Sequence, residues 1–165
     1  DSAIGALMGP LHGGANEAVA AMLETIGTVE NTEPWLRDAL ARKEKIMGFG
    51  HRVYKDGDPR AKHLKNMARM LSERSGDTRW YEMSLQIEDT ITRDKHLPAN
   101  VDFYWATVYT QLGIPRDLFT PIFAVSRVSG WTAHVLEQYE NNRLIRPRAL
   151  YTGPENQVWA PSETR

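Results

Sequence analysis

Apolar residues recur along this chain at three- and four-residue intervals, in blocks punctuated by Gly, Pro and Asn, and that spacing predicts helices. Ser2–Met8 reads as the last turns of a helix that begins elsewhere. The next block carries Ala18, Met22 and Ile26 on one face, with Asn16 as its candidate cap and Gly27 as its stop. Thr32 and Pro34 open a second block through Trp35, Leu36, Leu40 and Ala41. Asp58-Pro59 starts a third, with Ala61, Leu64, Met67 or Ala68, and Leu71 as the buried stripe and Gly76 just beyond. A fourth runs from Trp80 to Arg93, placing Met83 or Leu85, Ile87 and Ile91 inward. Asn100 caps a fifth with Val101, Tyr104, Val108 and Leu112, ended by Gly113. Thr120-Pro121 opens the longest, through Phe123, Val125, Val128, Trp131 and Val135 to about Tyr139. Gly130 lies inside it and predicts close packing or a bend. No period-two alternation is long enough for a sheet, although His51–Tyr54 could be a short extended piece. The fold class is therefore all-α.

Composition narrows the function classes. The chain has 165 residues, 41% apolar and 25% charged, enough for one sizeable core. Its 20 basic and 21 acidic residues give a net charge of −1, which argues against nucleic-acid or membrane binding through bulk charge. With no Cys there is no disulfide framework and no zinc-thiolate site, and the five His lack a standard metal-ligand spacing. A reducing, cytoplasmic setting fits. No apolar run approaches the roughly 18 residues of a membrane helix. The polar tail from Gly153 to Arg165, set against the abrupt start, predicts the C-terminal part of a longer protein.

Candidate chemistry lies in three stretches: Gly9–Glu17, Gly48–Arg60 and Asn100–Tyr104. His12 precedes Gly13-Gly14 and the first long helix, where the helix dipole favours a neutral imidazole. Such a ring can donate a hydrogen bond to a carbonyl becoming an enolate, with the glycines admitting a ligand to the backbone; or it simply packs at the helix entrance. His51 follows Gly48-Phe49-Gly50, whose backbone groups could bind a flat heterocycle or an anion. Arg60, in the first turn of the Asp58-Pro59 helix, could grip a carboxylate through two parallel bonds, or pair with Asp56 or Asp58. Asp102 opens the fifth helix, where a carboxylate serves the dipole; its apolar neighbours Val101 and Phe103 would also desolvate it into a stronger base. His63, His96 and His134 lack comparable settings and read as structural.

In this order, Leu-His-Gly-Gly-Ala-Asn-Glu, Gly-Phe-Gly-His-Arg-Val-Tyr-Lys running to Asp-Pro-Arg, and Val-Asp-Phe-Tyr resemble the citrate synthase family, including the 2-methylcitrate synthases. Phe119–Arg127 and Asn142–Arg148 extend the resemblance over nearly the whole chain. It implies a transferase of the tricarboxylic acid cycle that condenses acetyl-CoA with oxaloacetate, or propionyl-CoA in the 2-methylcitrate variant. A helical module that binds acyl-CoA or a dicarboxylate without turnover is the alternative from another class. By resemblance, Asp102 is the base, His12 stabilises the enol and His51 protonates the oxaloacetate carbonyl. Arg60 and Arg127 bind carboxylates, and Arg146 does so across a homodimer interface. Met47, Gly48, Phe49 and Gly50 meet the CoA adenine, and Lys55 its phosphates. No metal or permanently bound cofactor is implied, only the acyl-CoA co-substrate. The resemblance also implies domains: residues 1–12 end a large-domain helix, 13–109 form a small closing domain, and 110–165 return to the large domain. A segment without the earlier large-domain helices is expected to be inactive alone. Trp105 departs from the pattern, standing where a small residue such as Ser is expected, and would reshape the acyl pocket or fill the core.

Overall fold

The computed structural model describes residues 1–9 and 12–159. Pro10 and Leu11 of the first motif, and the end of the polar tail from residue 160, lie outside the described residues. The elements are α1 (Ser2–Leu7), α2 (Ala15–Ile26), α3 (Thr32–Ala41), α4 (Pro59–Ser75), α5 (Arg79–Lys95), α6 (Val101–Gln111), a 3-10 turn (Arg116–Leu118) and α7 (Phe119–Glu140). No strand forms among the described residues; one isolated antiparallel bridge joins Phe49 to Ala99. The all-α expectation therefore holds. The extended piece, however, lies two residues before His51–Tyr54, because His51 itself folds that segment into a turn.

The chain divides into two units, Asp1–Gly130 and Trp131–Arg165. In the first, α6 is the central helix and packs against α2, α4 and α5. Seven of its eleven residues are buried, which explains why its apolar pattern runs round the helix instead of down one stripe. Val19, Leu23 and Ile26 of α2, Leu64 and Ala68 of α4, and Met83, Ile87 and Ile91 of α5 close on Phe103, Tyr104 and Val108. The buried Ser84 hydroxyl bonds the Trp80 carbonyl at 2.8 Å and the Thr107 hydroxyl at 3.0 Å, so the polar atoms crossing from α5 to α6 are satisfied.

Several local expectations are corrected. Asn16 does not cap α2; Gly14 does, and Asn16 is a buried first-turn residue whose Oδ1 accepts the Glu17 N–H at 2.8 Å. The helix begins early because the Ala15 N–H already bonds the His12 carbonyl at 2.9 Å. Ala41 and Leu112 are exposed, and Leu36 and Ala39 carry the α3 contact. In α7 only Phe119 and Thr120 are buried, while Val125, Val128 and Val135 are exposed. Gly130 has nothing within 4 Å of where a Cβ would sit, so no close approach explains it.

The second unit holds the end of α7 followed by an irregular, exposed segment. There the Gln138 amide donates to Asn142 Oδ1 at 3.3 Å and to the Arg143 carbonyl at 3.4 Å.

Candidate active site

Three chain segments converge beside the N-terminus of α6. Asp58 caps α4, with Pro59 in the first turn supplying a fixed φ. Asn100 caps α6 by accepting the Asp102 N–H at 3.0 Å. The same Asn100 donates its amide to the Gly50 carbonyl at 2.8 Å and its N–H to the Gly48 carbonyl at 2.9 Å. With the Gly50 N–H on the Pro98 carbonyl at 2.9 Å, the 48–50 segment is clasped to the chain just ahead of Asp102. Asn100 thus ties the His51 loop to the Asp102 helix. Gly48 sits at φ +87°, and a Cβ there would lie 2.8 Å from Phe103, so the loop can approach α6 only through a glycine.

Beside this junction is a cavity of about 290 Å³ lined by His12, His51, Arg60, Asp102, Phe123 and Arg127, among others. The structure therefore gathers all three residues of the predicted acid–base set, and two of the three predicted arginines, around one space. Arg146 is exposed in the irregular segment of the second unit.

The Asp102 carboxyl is half-buried, and its Oδ1 is shielded from solvent with no hydrogen-bond partner among the described residues. Burial pushes the group up to about 6; Arg60 pulls it back and the Asp58 anion pushes it further. The His51 ring accepts the N–H groups of both Val53 and Tyr54 at Nδ1, each at 3.0 Å. Nδ1 must then carry the lone pair, leaving Nε2–H as the donor of a neutral ring. Tyr54 stacks on His51 at 4.6 Å, and the Arg60 guanidinium lies 5.7 Å from the Tyr54 ring centre. His12 is exposed and meets Phe123 edge-on at 5.8 Å, while the Arg127 guanidinium lies over the same ring, 5.5 Å from its centre.

Arg60 joins both of its sequence readings. Its Nε and Nη2 grip Asp58 at 2.9 and 2.8 Å, so the local pair forms, yet Arg60 also lines the cavity. Gly13 and Gly14 serve the fold: a Cβ on either would meet the carbonyls of Leu7 or Met8 at 2.7–2.8 Å, so their space is taken by protein. The carbonyls of Gly48 and Gly50 and the Gly50 N–H are consumed by the pairing with 98–100. Phe49 occupies a non-hydrogen-bonded bridge position, which turns its own N–H and C=O away from that pair. Lys55 Nζ donates to the His51 carbonyl at 3.3 Å.

In the sequence Asp58 reads as a helix start or a partner of Arg60, Asn100 as a cap and Phe123 as a helix-face residue, none of them as lining a site. The signal for Phe123 was its spacing: it stands four residues before Arg127 on one helix face. Trp105 packs against Tyr109 with the rings tilted and their centres 4.6 Å apart, and lines an adjoining cavity of about 430 Å³. Arg60, Val101, Phe123 and Arg127 border both cavities. His63 lines the adjoining cavity, His96 ends α5 in the left-handed conformation, and His134 pairs with Glu137.

The family model for the citrate synthase C-terminal domain matches residues 1–148. The chain belongs to the citrate synthase family. It is 68% identical to citrate synthase 2 of Bacillus subtilis, over 99% of this chain and 44% of that protein. Against 2-methylcitrate synthase 1 of Corynebacterium glutamicum it is 46% identical, over 99% of this chain and 43% of the relative. The Thermoplasma acidophilum citrate synthase, solved as a ternary complex with carboxymethyl coenzyme A and oxaloacetate, superposes with a TM-score of 0.85 at 41% identity. That match covers 98% of this chain and 44% of the solved one. The chain thus spans less than half the length of these relatives.

Proposed function

We propose that this chain supplies the acid–base groups of a citrate synthase that condenses acetyl-CoA with oxaloacetate. The observation that carries the reading is the single cavity shared by His12, His51, Asp102, Arg60 and Arg127. A carboxyl at about 6 is mostly ionised at neutral pH and is still a stronger base than an ordinary aspartate. In this reading Asp102 takes a proton from the thioester methyl group, the C–H electron pair forms a new C=C bond, and the thioester π electrons move to oxygen, giving an enolate. His12 donates a hydrogen bond to the thioester oxygen as charge develops there. The enolate carbon then attacks the oxaloacetate carbonyl, whose π electrons move to oxygen, and His51 Nε2–H delivers the proton. Water finally cleaves the citryl thioester and releases CoA.

Arg60 and Arg127 are assigned to the oxaloacetate and citrate carboxylates, and Arg146 to a carboxylate in the partner subunit of a homodimer. For the CoA adenine, the outward backbone groups of Phe49 are the favoured contact within Met47–Gly50, with Lys55 for its phosphates. The proposed domain frame keeps residues 13–109 as the closing domain and 1–12 and 110–165 as parts of the large one. No helix among the described residues is long and apolar enough to cross a membrane, and a cytoplasmic setting belongs to the same proposal.

The test is thiol release from acetyl-CoA with oxaloacetate, using a polypeptide of full family length that carries this chain. Asp102→Asn in that polypeptide should lower turnover by about 10²–10⁴-fold while acyl-CoA still binds. Binding without any CoA release by the parent would instead establish the non-catalytic module.

The cavity beside Trp105 favours one second reading, 2-methylcitrate formation from propionyl-CoA, because its apolar wall adjoins the proposed acyl site. Trp105→Ser should change the propionyl-to-acetyl ratio of kcat/KM by about 10-fold or more if the indole bounds the acyl group, since one methylene is worth about 1–3 kcal/mol. An unchanged ratio would assign Trp105 to packing alone.

A further inference from the structure

We propose that Asp58 is a positioning residue for the candidate site, holding the Arg60 guanidinium in one orientation while fixing the start of the helix that carries Asp102. This deepens the reading of Arg60 as a carboxylate-binding residue and rests on it. The Asp58 side chain is fully buried and receives four hydrogen bonds. Its Oδ1 accepts the Arg60 backbone N–H at 3.0 Å and Arg60 Nε–H at 2.9 Å. Its Oδ2 accepts Arg60 Nη2–H at 2.8 Å and the Val101 N–H at 3.0 Å.

That pattern exceeds what a helix cap requires. An ordinary cap needs one oxygen on one or two N–H groups of its own helix. Here the second oxygen reaches a different helix, 43 residues along the chain, and satisfies the first N–H of α6. Asn100 takes the next one, that of Asp102. Two side chains from different places therefore share the end of α6, and Asp58 is the one that couples it to α4. The fork on Arg60 has an equally definite consequence. A guanidinium has five N–H donors in one plane. Binding Nε and one hydrogen of Nη2 to Asp58 fixes that plane and leaves the Nη1 edge for an incoming carboxylate. A free arginine would lose several rotamers on binding; this one is already oriented.

The same arrangement bears on Asp102. Asp102 faces Asp58 and Arg60 at the start of α4, His51 and Arg52 in the loop, His12, and Arg127 on α7. Among the charges acting on it, Arg60 lowers its affinity for a proton and Asp58 raises it. By occupying Arg60, Asp58 keeps the base from being quenched by the guanidinium beside it. Burial raises the Asp58 carboxyl, but the bonds from Arg60 outweigh this and hold it ionised, below the ordinary aspartate range.

The proposal is tested by NMR on the 165-residue chain, without reference to turnover. In the wild type the Arg60 Nε–H should give a resolved, slowly exchanging signal at neutral pH; a signal exchanging like that of free arginine overturns the proposal. In Asp58→Asn, which retains an oxygen for the Val101 N–H, that signal should be lost. The Asp102 carboxyl should then titrate about one pH unit or more below its wild-type midpoint of about 6. A folded Asp58→Asn chain with an unmoved Asp102 midpoint also overturns it. If that variant does not fold, Arg60→Gln decides, because it keeps the Val101 bond and should move the midpoint upward; no movement counts against the proposal. Since none of these readings requires catalysis, loss of the citrate synthase assignment and loss of the Asp58 role are separate outcomes.

Discussion

Asp102, the proposed base, is held at a position the folded chain would prefer uncharged. A carboxyl raised from 3.8 to about 6 favours the fold fully below the lower value and loses that advantage as pH rises through the upper one. At 1.36 kcal/mol per unit the difference is about 3 kcal/mol. Asp102→Asn should therefore stabilise the chain by about 2–3 kcal/mol at pH 7–8, with the gain disappearing by about pH 3, as urea melts at both pH values would register. Equal stability of the two chains at pH 8 would contradict the burial argument. His51 allows a complementary separation of roles. Asparagine can place an oxygen near the Nδ1 position but has no atom at Nε2. His51→Asn should keep the 51–54 turn and its amide shifts, yet lower full-length turnover by about 10²–10⁴-fold. The residue types in these motifs were legible from sequence, as was the apolar setting of Asp102. That both Val53 and Tyr54 donate to one ring nitrogen was not, because nothing in the order of residues specifies where an imidazole points.

Helices were the most readable feature, since a buried stripe must repeat with the helical period and caps must satisfy the free N–H groups. The Asp58-Pro59 start, the Asn100 cap and the Gly76 stop all fall where their chemistry predicts. The α7 stripe failed for a physical reason: periodicity reports that a face is apolar, not which other surface covers it. Between the helices, the close approach of the 48–50 loop to α6 governs the site. Gly48→Ala would force a Cβ against Phe103 and impose strain at φ +87°. It should destabilise the chain by about 2–4 kcal/mol and loosen the His51 loop, read as faster amide exchange at Val53 and Tyr54. Asn100→Ala removes the same clasp from the other side. Losing a cap and stranding the Gly50 carbonyl together should cost about 2–3 kcal/mol in a denaturant melt. Recovery of wild-type stability by Asn100→Ala would leave the clasp without an energetic role.

For the whole molecule, the chain spans under half of the relatives it matches, while its described acid–base groups already share a cavity. Assayed alone, the 165-residue chain should form no citrate above background, because it spans under half the length of its relatives and the proposed pocket includes Arg146 from a second copy. Measurable citrate from a preparation free of host enzyme would refute that. The sequence by itself determined the helical class, the family and the ordered motifs, since these depend on residue type and local spacing. Tertiary structure alone decided which of those residues meet. His12, His51 and Asp102 are separated by dozens of residues, and only the packing of α6 against α2 and α4, with the 48–50 loop clasped to its start, brings them to one space. It also decided that Asp58 and Asn100, ordinary caps in sequence, each join two segments, because a hydrogen bond across 43 or 50 residues exists only once the core has closed.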